Sequence, residues 1–274
     1  MKIFLRNVLI ISILFLFFIH ANCESDKSID NVQDFDVTTL ENESFLNAVL
    51  WHQTSAEYRA LAYQAYNLAK LRLDEDLEIE RERKRAIIAD IDETVLDNSA
   101  YNAKGIVEKQ SYPEDFYEWI DQAKGRAVPG AVKFLNYAVE KGCDIFYISN
   151  RRTMGLDGTM RNLKKLGFPQ VEKSHVLLKE TTSNKGLRRD SIAKTHDIVL
   201  LLGDNLIDFD DIFRGISIEE RYSAVDKIES EFGKKFIIFP NSMHGEWIKA
   251  LYNYDRTVPF EEIKQKMVNR LRTY

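Results

Sequence analysis

Asp90 and Asp92 stand one residue apart in the stretch IIADIDETVLDNSAY, Ile87 to Tyr101, directly after an apolar run that reads as a buried strand. Two carboxylates crowded at a strand end cost free energy unless a cation lies between them or one holds a proton; otherwise the stretch is only a polar loop. Three more polar sets follow apolar runs: Ser149, Asn150 and Arg151 after "DIFYIS", Lys185 with Arg188 in "TTSNKGLRRD", and Gly203, Asp204 and Asp208 in "LLLGDNLIDF". Singly, each has an ordinary explanation. Asp-x-Asp occurs in many loops, Ser-Asn is turn chemistry, and a lone lysine is usually a solvated charge. Together, carboxylates, a hydroxyl and a lysine at the ends of separate strands would make a phosphoryl-transfer site.

In that site Asp90 is the expected nucleophile, forming an aspartyl-phosphate. Asp92, two residues on in an extended chain, points to the same side and is the expected general acid and base. Clustered carboxylates need a counter-ion, and hard oxygen donors favour Mg²⁺, one per chain, held by Asp90, Asp204 and the Asp92 main-chain carbonyl. Ser149 and Lys185 would hold the phosphoryl oxygens as charge develops.

The elements that must position these residues alternate. "AIIADI", "DIFYIS", "HVLLK", "DIVLLLGD" and "KFIIFP" are short runs rich in β-branched and aromatic residues, separated by helix-like segments such as 130–141 and 155–166. Strands apolar on both faces and alternating with helices predict an α/β fold with a Rossmann-like parallel sheet covered on both sides. Ligands then bind beyond the carboxyl ends of the strands, where the polar sets fall. Upstream, the apolar residues between Leu40 and Lys70 recur at helical spacing, with Thr39 as the cap and Glu41 and Glu43 in the first turn. "LDEDLEIERERKR" reads as a solvated helix end or connector. At the other end, residues 256–274 form an amphipathic helix with Ile263, Met267 and Leu271 on one face. It is expected to pack on its own domain or on a neighbouring subunit, which leaves a homodimer open.

Composition bounds the function. The 274 residues are 45% hydrophobic and 30% charged, an ordinary globular profile. The first 22 are different: Lys2 and Arg6 precede "NVLIISILFLFFI", short for a membrane span and suited to a signal peptide. Cys23 follows, where lipoprotein signals are cut and the thiol takes up a lipid; the other readings are an unlipidated signal or an uncleaved anchor. The expected order is therefore a signal over 1–22, a tether over 23–39, a main domain over 40–255 and the C-terminal helix. With the signal gone, 38 basic residues become 36 against 43 acidic ones, and the formal charge moves from −5 to −7. Such a surface argues against nucleic-acid binding and leaves a small phosphorylated substrate open. Cys143, within a strand-like run, is expected to be a buried apolar group without a disulfide.

The residues resemble the haloacid dehalogenase superfamily, and within it the bacterial class C acid phosphatases of the outer-membrane lipoprotein 5′-nucleotidase group. "IADIDETVLDNSAY" and "IVLLLGDNLIDF" match that group's two signatures, and "LWHQTSAEYRALAYQAYNLAK" is similar to its N-terminal helix. The resemblance implies a haloacid dehalogenase fold, making 40–255 a phosphatase domain, with a small α-helical cap domain built from the N-terminal helices and a cap insertion at about 95–129. It implies a lipid-anchored envelope enzyme, on the outer membrane, that hydrolyses phosphomonoesters, notably nucleoside 5′-monophosphates, fastest at acidic pH. It assigns the metal to Asp90, Asp92 and Asp204 and the phosphate to Thr94, Ser149, Asn150 and Lys185. Asp208 would orient metal-bound water or Lys185, with Arg188 alongside. Trp119 is the candidate for stacking on a base. His244 stands where the family tends to have a tyrosine, and its imidazole would stack more weakly and titrate in the acidic range.

Two other readings compete. The same fold could act on sugar phosphates or other small metabolites, or the chain could be a non-enzymatic surface lipoprotein. A receiver domain phosphorylated on aspartate shares the parts, but it predicts no signal and no acid two residues after the nucleophile.

Overall fold

The computed structural model describes residues 37–109, 115–255 and 257–274. The signal segment, Cys23 and the expected tether through residue 36 lie outside the described residues. No helix among the described residues is long and apolar enough to cross a membrane.

Two helices open the described chain, α1 (Val37–Thr54) and α2 (Ala56–Leu77). The sequence reads as one helical run from Leu40 with Thr39 as cap; instead α1 starts upstream, at Val37, and the run breaks at Ser55. There the serine leaves helical geometry, and its hydroxyl accepts the Tyr58 N–H at 3.0 Å, a local bond that starts α2 afresh.

The rest alternates as expected: β1 (Lys84–Ala89), β2 (Leu96–Asp97), α3 (Ser99–Glu108), α4 (Phe116–Gln122), β3 (Arg126–Ala127), α5 (Ala131–Glu140), β4 (Asp144–Arg152), α6 (Leu156–Lys165), β5 (Val176–Lys179), α7 (Gly186–Ala193), β6 (His196–Gly203), α8 (Ile218–Lys227), β7 (Phe236–Ile238), α9 (Glu246–Leu251) and α10 (Phe260–Asn269). Five strands form a parallel sheet in the order β5-β4-β1-β6-β7. The central strand β1 is thus flanked by β4 and β6, which carry the Ser149 and Asp204 sets. Register aligns their ends, with Ala89 opposite both Tyr147 and Leu202.

Alternation along the strands makes two cores. Ile87, Ala89, Ile145, Tyr147, Leu200 and Leu202 face α2, α5 and α6, meeting Tyr66, Leu73, Phe134, Leu135 and Leu163. Ala86, Ile88, Phe146, Ile148 and Leu201 face the other way, toward Ile192 of α7, Phe209 and Phe236. Both faces are covered, so the sheet's open polar ends are where chemistry can occur.

The insertion after Thr94 carries α3 and α4, joined to the body by the short antiparallel pair β2–β3. Helix α1 packs on α3, whereas α2 lies along the sheet beside α5 and β7. Tyr101, Phe116 and Ile120 give the insertion a small apolar centre of its own. Helix α10 packs on α9 and α1 within the same chain. It ends at Asn269, so Leu271, expected on its apolar face, lies past the helix and is exposed. Cys143 is free and buried, and burial pushes its thiol up to about 11, out of the reactive range.

Candidate active site

Three carboxylates meet at the carboxyl ends of β1 and β6. One oxygen from each of Asp90, Asp204 and Asp208 lies within 4.8 Å of the others. Asp208, expected to orient Lys185 or metal-bound water, is the third acid of the group and does lie against Lys185. The Lys185 ammonium, at the start of α7, contacts Asp90 and lies 2.7 Å from Asp208. Burial pushes the Asp90 carboxyl well above the usual range, with Asp208, Asp204 and Asp92 adding to the push and Lys185 opposing it. Burial and the neighbouring Asp208 push Asp204 up to about 7. Burial works against the Lys185 charge, but Asp208 and Asp90 outweigh it and raise its pKa.

One ammonium among three carboxylates leaves two negative charges unbalanced, which a divalent cation would match. All the donors are hard oxygens, the chemistry of Mg²⁺ and its relatives. The residues fit such an ion. Gly203 makes the cluster attainable: a Cβ there would sit 2.5 Å from the Asp208 Cβ, so any side chain would displace that acid.

Asp92 faces a different partner. Arg151, 4% exposed, donates to its Oδ1 from Nε at 3.0 Å and Nη2 at 2.8 Å, and Ser149 Oγ donates to Oδ2 at 3.1 Å. Burial alone would raise the Asp92 carboxyl; Arg151 and then His244 and Ser149 hold it below the usual range. Asn98 completes the setting, giving its side-chain N–H to Asp92 at 2.8 Å and receiving Arg151 Nη2 at 3.1 Å. Arg151 appears in the sequence beside Ser149 and Asn150, but nothing in it points to a partner 59 residues upstream.

The expected phosphate-binding residues divide. Lys185 is in the carboxylate cluster, and Ser149 lies on Asp92. The hydroxyl of Thr94, a fully buried residue, donates to Asp204 Oδ1 at 3.3 Å and so braces that carboxylate. Asn150 Oδ1 accepts from Arg188 Nη2 at 2.9 Å, while Arg188 Nη1 reaches the Ser149 carbonyl at 2.7 Å. Arg188 therefore fixes the end of β4, as a positioning group should. Burial lowers its pKa.

Both base-stacking candidates are engaged by the protein. Trp119 packs on the insertion's apolar centre and donates its indole N–H to Asn98 Oδ1 at 3.0 Å. His244 Nε2 lies 2.6 Å from Glu93 Oε2, a side chain with no exposure at all. Glu93 sits between Asp92 and Thr94 with φ 57°, and its other oxygen accepts the Asn98 N–H at 2.9 Å. Its role is absent from the sequence reading.

His244, expected to titrate in the acidic range, stands against carboxylates that favour its charged form. Lost hydration lowers its pKa, but Glu93, then Asp204 and Asp92, raise it from 6.5 to about 9. A raised histidine contributes stability that is full below the unfolded value of 6.5 and is lost as pH rises through about 9. NMR titration should find the ring protonated at neutral pH, with the midpoint falling on Glu93→Gln. A midpoint near the ordinary histidine value in the unsubstituted chain would refute the pairing.

Comparison with known proteins agrees with this geometry. The family model described as HAD superfamily, subfamily IIIB (acid phosphatase) matches residues 17–247. Two crystal structures of the class C acid phosphatase from Bacillus anthracis are 44% identical with a TM-score of 0.83; the tungstate-bound one covers 85% of this chain and 98% of its own, the other 87% and 100%. Among curated relatives, a stem 31 kDa glycoprotein of Glycine max is 30% identical over 134 residues, 46% of this chain and 53% of its own. A stem 28 kDa glycoprotein of the same plant is 29% identical over 166 residues, 57% and 62% respectively. The chain thus spans between half and two thirds of the curated relatives it matches.

Proposed function

The chain belongs to the acid phosphatases of HAD superfamily subfamily IIIB, and from that membership and its acidic cluster we propose that it hydrolyses phosphomonoesters through an aspartyl-phosphate on Asp90. The observation that carries this reading is the meeting of Asp90, Asp204, Asp208 and Lys185 beyond the strand ends, with Asp92 beside them on a separate arginine. The Bacillus anthracis enzyme binds tungstate, a tetrahedral oxyanion, which supports a phosphate-sized site here.

The residues divide the work. Asp90 attacks phosphorus, and Lys185, already against it, neutralises an oxygen of the incoming group. Asp90, Asp204 and the Asp92 carbonyl, with Asp208 beside them, would hold a Mg²⁺, which would offset the negative charge of the nucleophile and the phosphate. Asp92 rests ionised on Arg151, so the proton for the leaving alkoxide must be delivered. A phosphomonoester has a second pKa near about 6, and in acid its monoanion brings that proton with it. The proton passes to Asp92 and then to the departing oxygen as the P–O bond breaks. Asp92, again a carboxylate, takes a proton from water, which attacks phosphorus and frees Asp90.

Nucleoside 5′-monophosphates are the proposed substrates, by the resemblance to the 5′-nucleotidase group. The tethering of Trp119 and His244 favours a second reading, non-nucleotide phosphomonoesters. Phosphate release from a panel of nucleotides, sugar phosphates and glycerol phosphate, with Mg²⁺ or EDTA, separates them. Nucleotides should lead by about tenfold or more in kcat/KM, and EDTA should abolish turnover. Equal rates across the panel would remove the nucleotide reading, and full turnover in EDTA the metal. We place the enzyme on the cell envelope, anchored through Cys23. Palmitate labelling should be lost in Cys23→Ser; labelling that persists would exclude that anchor.

A further inference from the structure

One short turn touches both acidic loops. Asn241 donates its side-chain N–H to Asp204 Oδ2 at 2.7 Å, closer than the Thr94 hydroxyl lies to Oδ1 at 3.3 Å. Three residues on, His244 reaches the buried Glu93, inside the loop that carries Asp90, Asp92 and Thr94. The turn is itself closed: Asn241 Oδ1 accepts the Met243 N–H at 2.9 Å and the His244 N–H at 3.4 Å. Those two bonds fix which end of the amide is oxygen, so the nitrogen must be the atom facing Asp204. Met243 anchors the turn from below, fully buried, with its sulfur 3.5 Å from Asn102 of α3. Residues 241–244 therefore join the loop after β6, the loop after β1 and the insertion.

We infer that the turn Asn241–His244 is a positioning clip for the metal-binding carboxylate, with Asn241 holding Asp204 in its ligating orientation and His244 pinning the turn to Glu93. The inference rests on the reading of Asp204 as a metal ligand. A carboxylate bound to a metal keeps one oxygen for the ion and is oriented through the other, and an amide N–H suits that second oxygen. Without it, Asp204 would swing in a pocket where Asp208 repels it. Asn241 acts through Asp204, so its loss should appear in metal affinity before it appears in chemistry. His244 acts one step further back, by fixing the turn, and its effect should be smaller and should need Asn241 to be felt.

The test is calorimetric titration of the full-length chain with MgCl2 alone, which needs no substrate. Asn241→Ala should weaken binding about tenfold or more, with kcat at saturating Mg²⁺ within about threefold of the unsubstituted chain. His244→Gln, which keeps a donor for Glu93, should weaken binding less than His244→Ala does. The Asn241→Ala/His244→Ala pair should be no weaker than Asn241→Ala alone, because both changes act through one bond. Circular dichroism confirms that each variant is folded; if His244→Ala is not, His244→Gln combined with Asn241→Ala reads the same coupling. Mg²⁺ affinity unchanged in Asn241→Ala, or effects of the two positions that simply add, would overturn the clip. A chain that binds Mg²⁺ yet hydrolyses no phosphomonoester would sink the phosphatase reading and leave the clip standing.

Discussion

Asp90→Asn should lower turnover of any phosphomonoester by on the order of 10⁴-fold or more while leaving the chain folded. The amide has the shape of the carboxylate but no charge with which to attack phosphorus, and Lys185 and the other two acids remain in place. The substitution should also raise apparent stability without metal, since it removes one of three carboxylates sharing a buried pocket. Phosphate release and thermal melting in EDTA, on the same preparation, read both effects. Retained turnover would mean that another group makes the covalent bond, or that none does.

Lys185→Met should produce the largest loss of stability of any single change at the site. The ammonium is 5% exposed and serves two buried acids at once. Removing one partner of a buried pair costs about 3–5 kcal/mol, because the remaining charge stays buried. The pH dependence has a definite sign. Asp90 is raised in the folded chain, so that state binds a proton which the unfolded state releases; stability is retained in acid and lost as pH rises. Without Lys185 the raised range should extend upward, so the deficit in EDTA should be small near about pH 5 and full near about pH 8. Mg²⁺ should restore part of it by replacing the lost charge. Urea denaturation under these conditions measures it, and a deficit below about 1 kcal/mol at the higher pH would show that the lysine does not balance the cluster.

The parallel sheet was legible because its strands are buried on both faces and read as continuous apolar runs, each followed by its polar set. Asp90, Asp204 and Lys185 were legible for the same reason: the strand ends locate them without any knowledge of contacts. What the residues could not disclose were partnerships across long separations. Arg151 is one arginine in "SNRR" until Asp92 is found against it, and Glu93 looks like a spacer until its carboxylate is found buried on His244. Asn241 carries no signal at all, since an asparagine before Ser-Met-His is ordinary turn chemistry. The break at Ser55 is visible in "QTSAEY" only to a reader weighing caps above periodicity, and the pair β2–β3 is too short for any pattern to reveal.

The place where the insertion enters has a wider meaning. It leaves the body immediately after Thr94 and rejoins it at β3, just before α5, so β1, β4 and β6 keep their mutual register whatever its length. Selection can therefore lengthen, shorten or repaint that lobe to suit a new leaving group while the strands that carry the acids stay untouched. Among the threads crossing the boundary, Asn98 is the one that reaches the acid, taking the indole of Trp119 and giving to Asp92. Lineages that remodel the lobe should be most constrained there, where a change of diet would be felt by the chemistry itself.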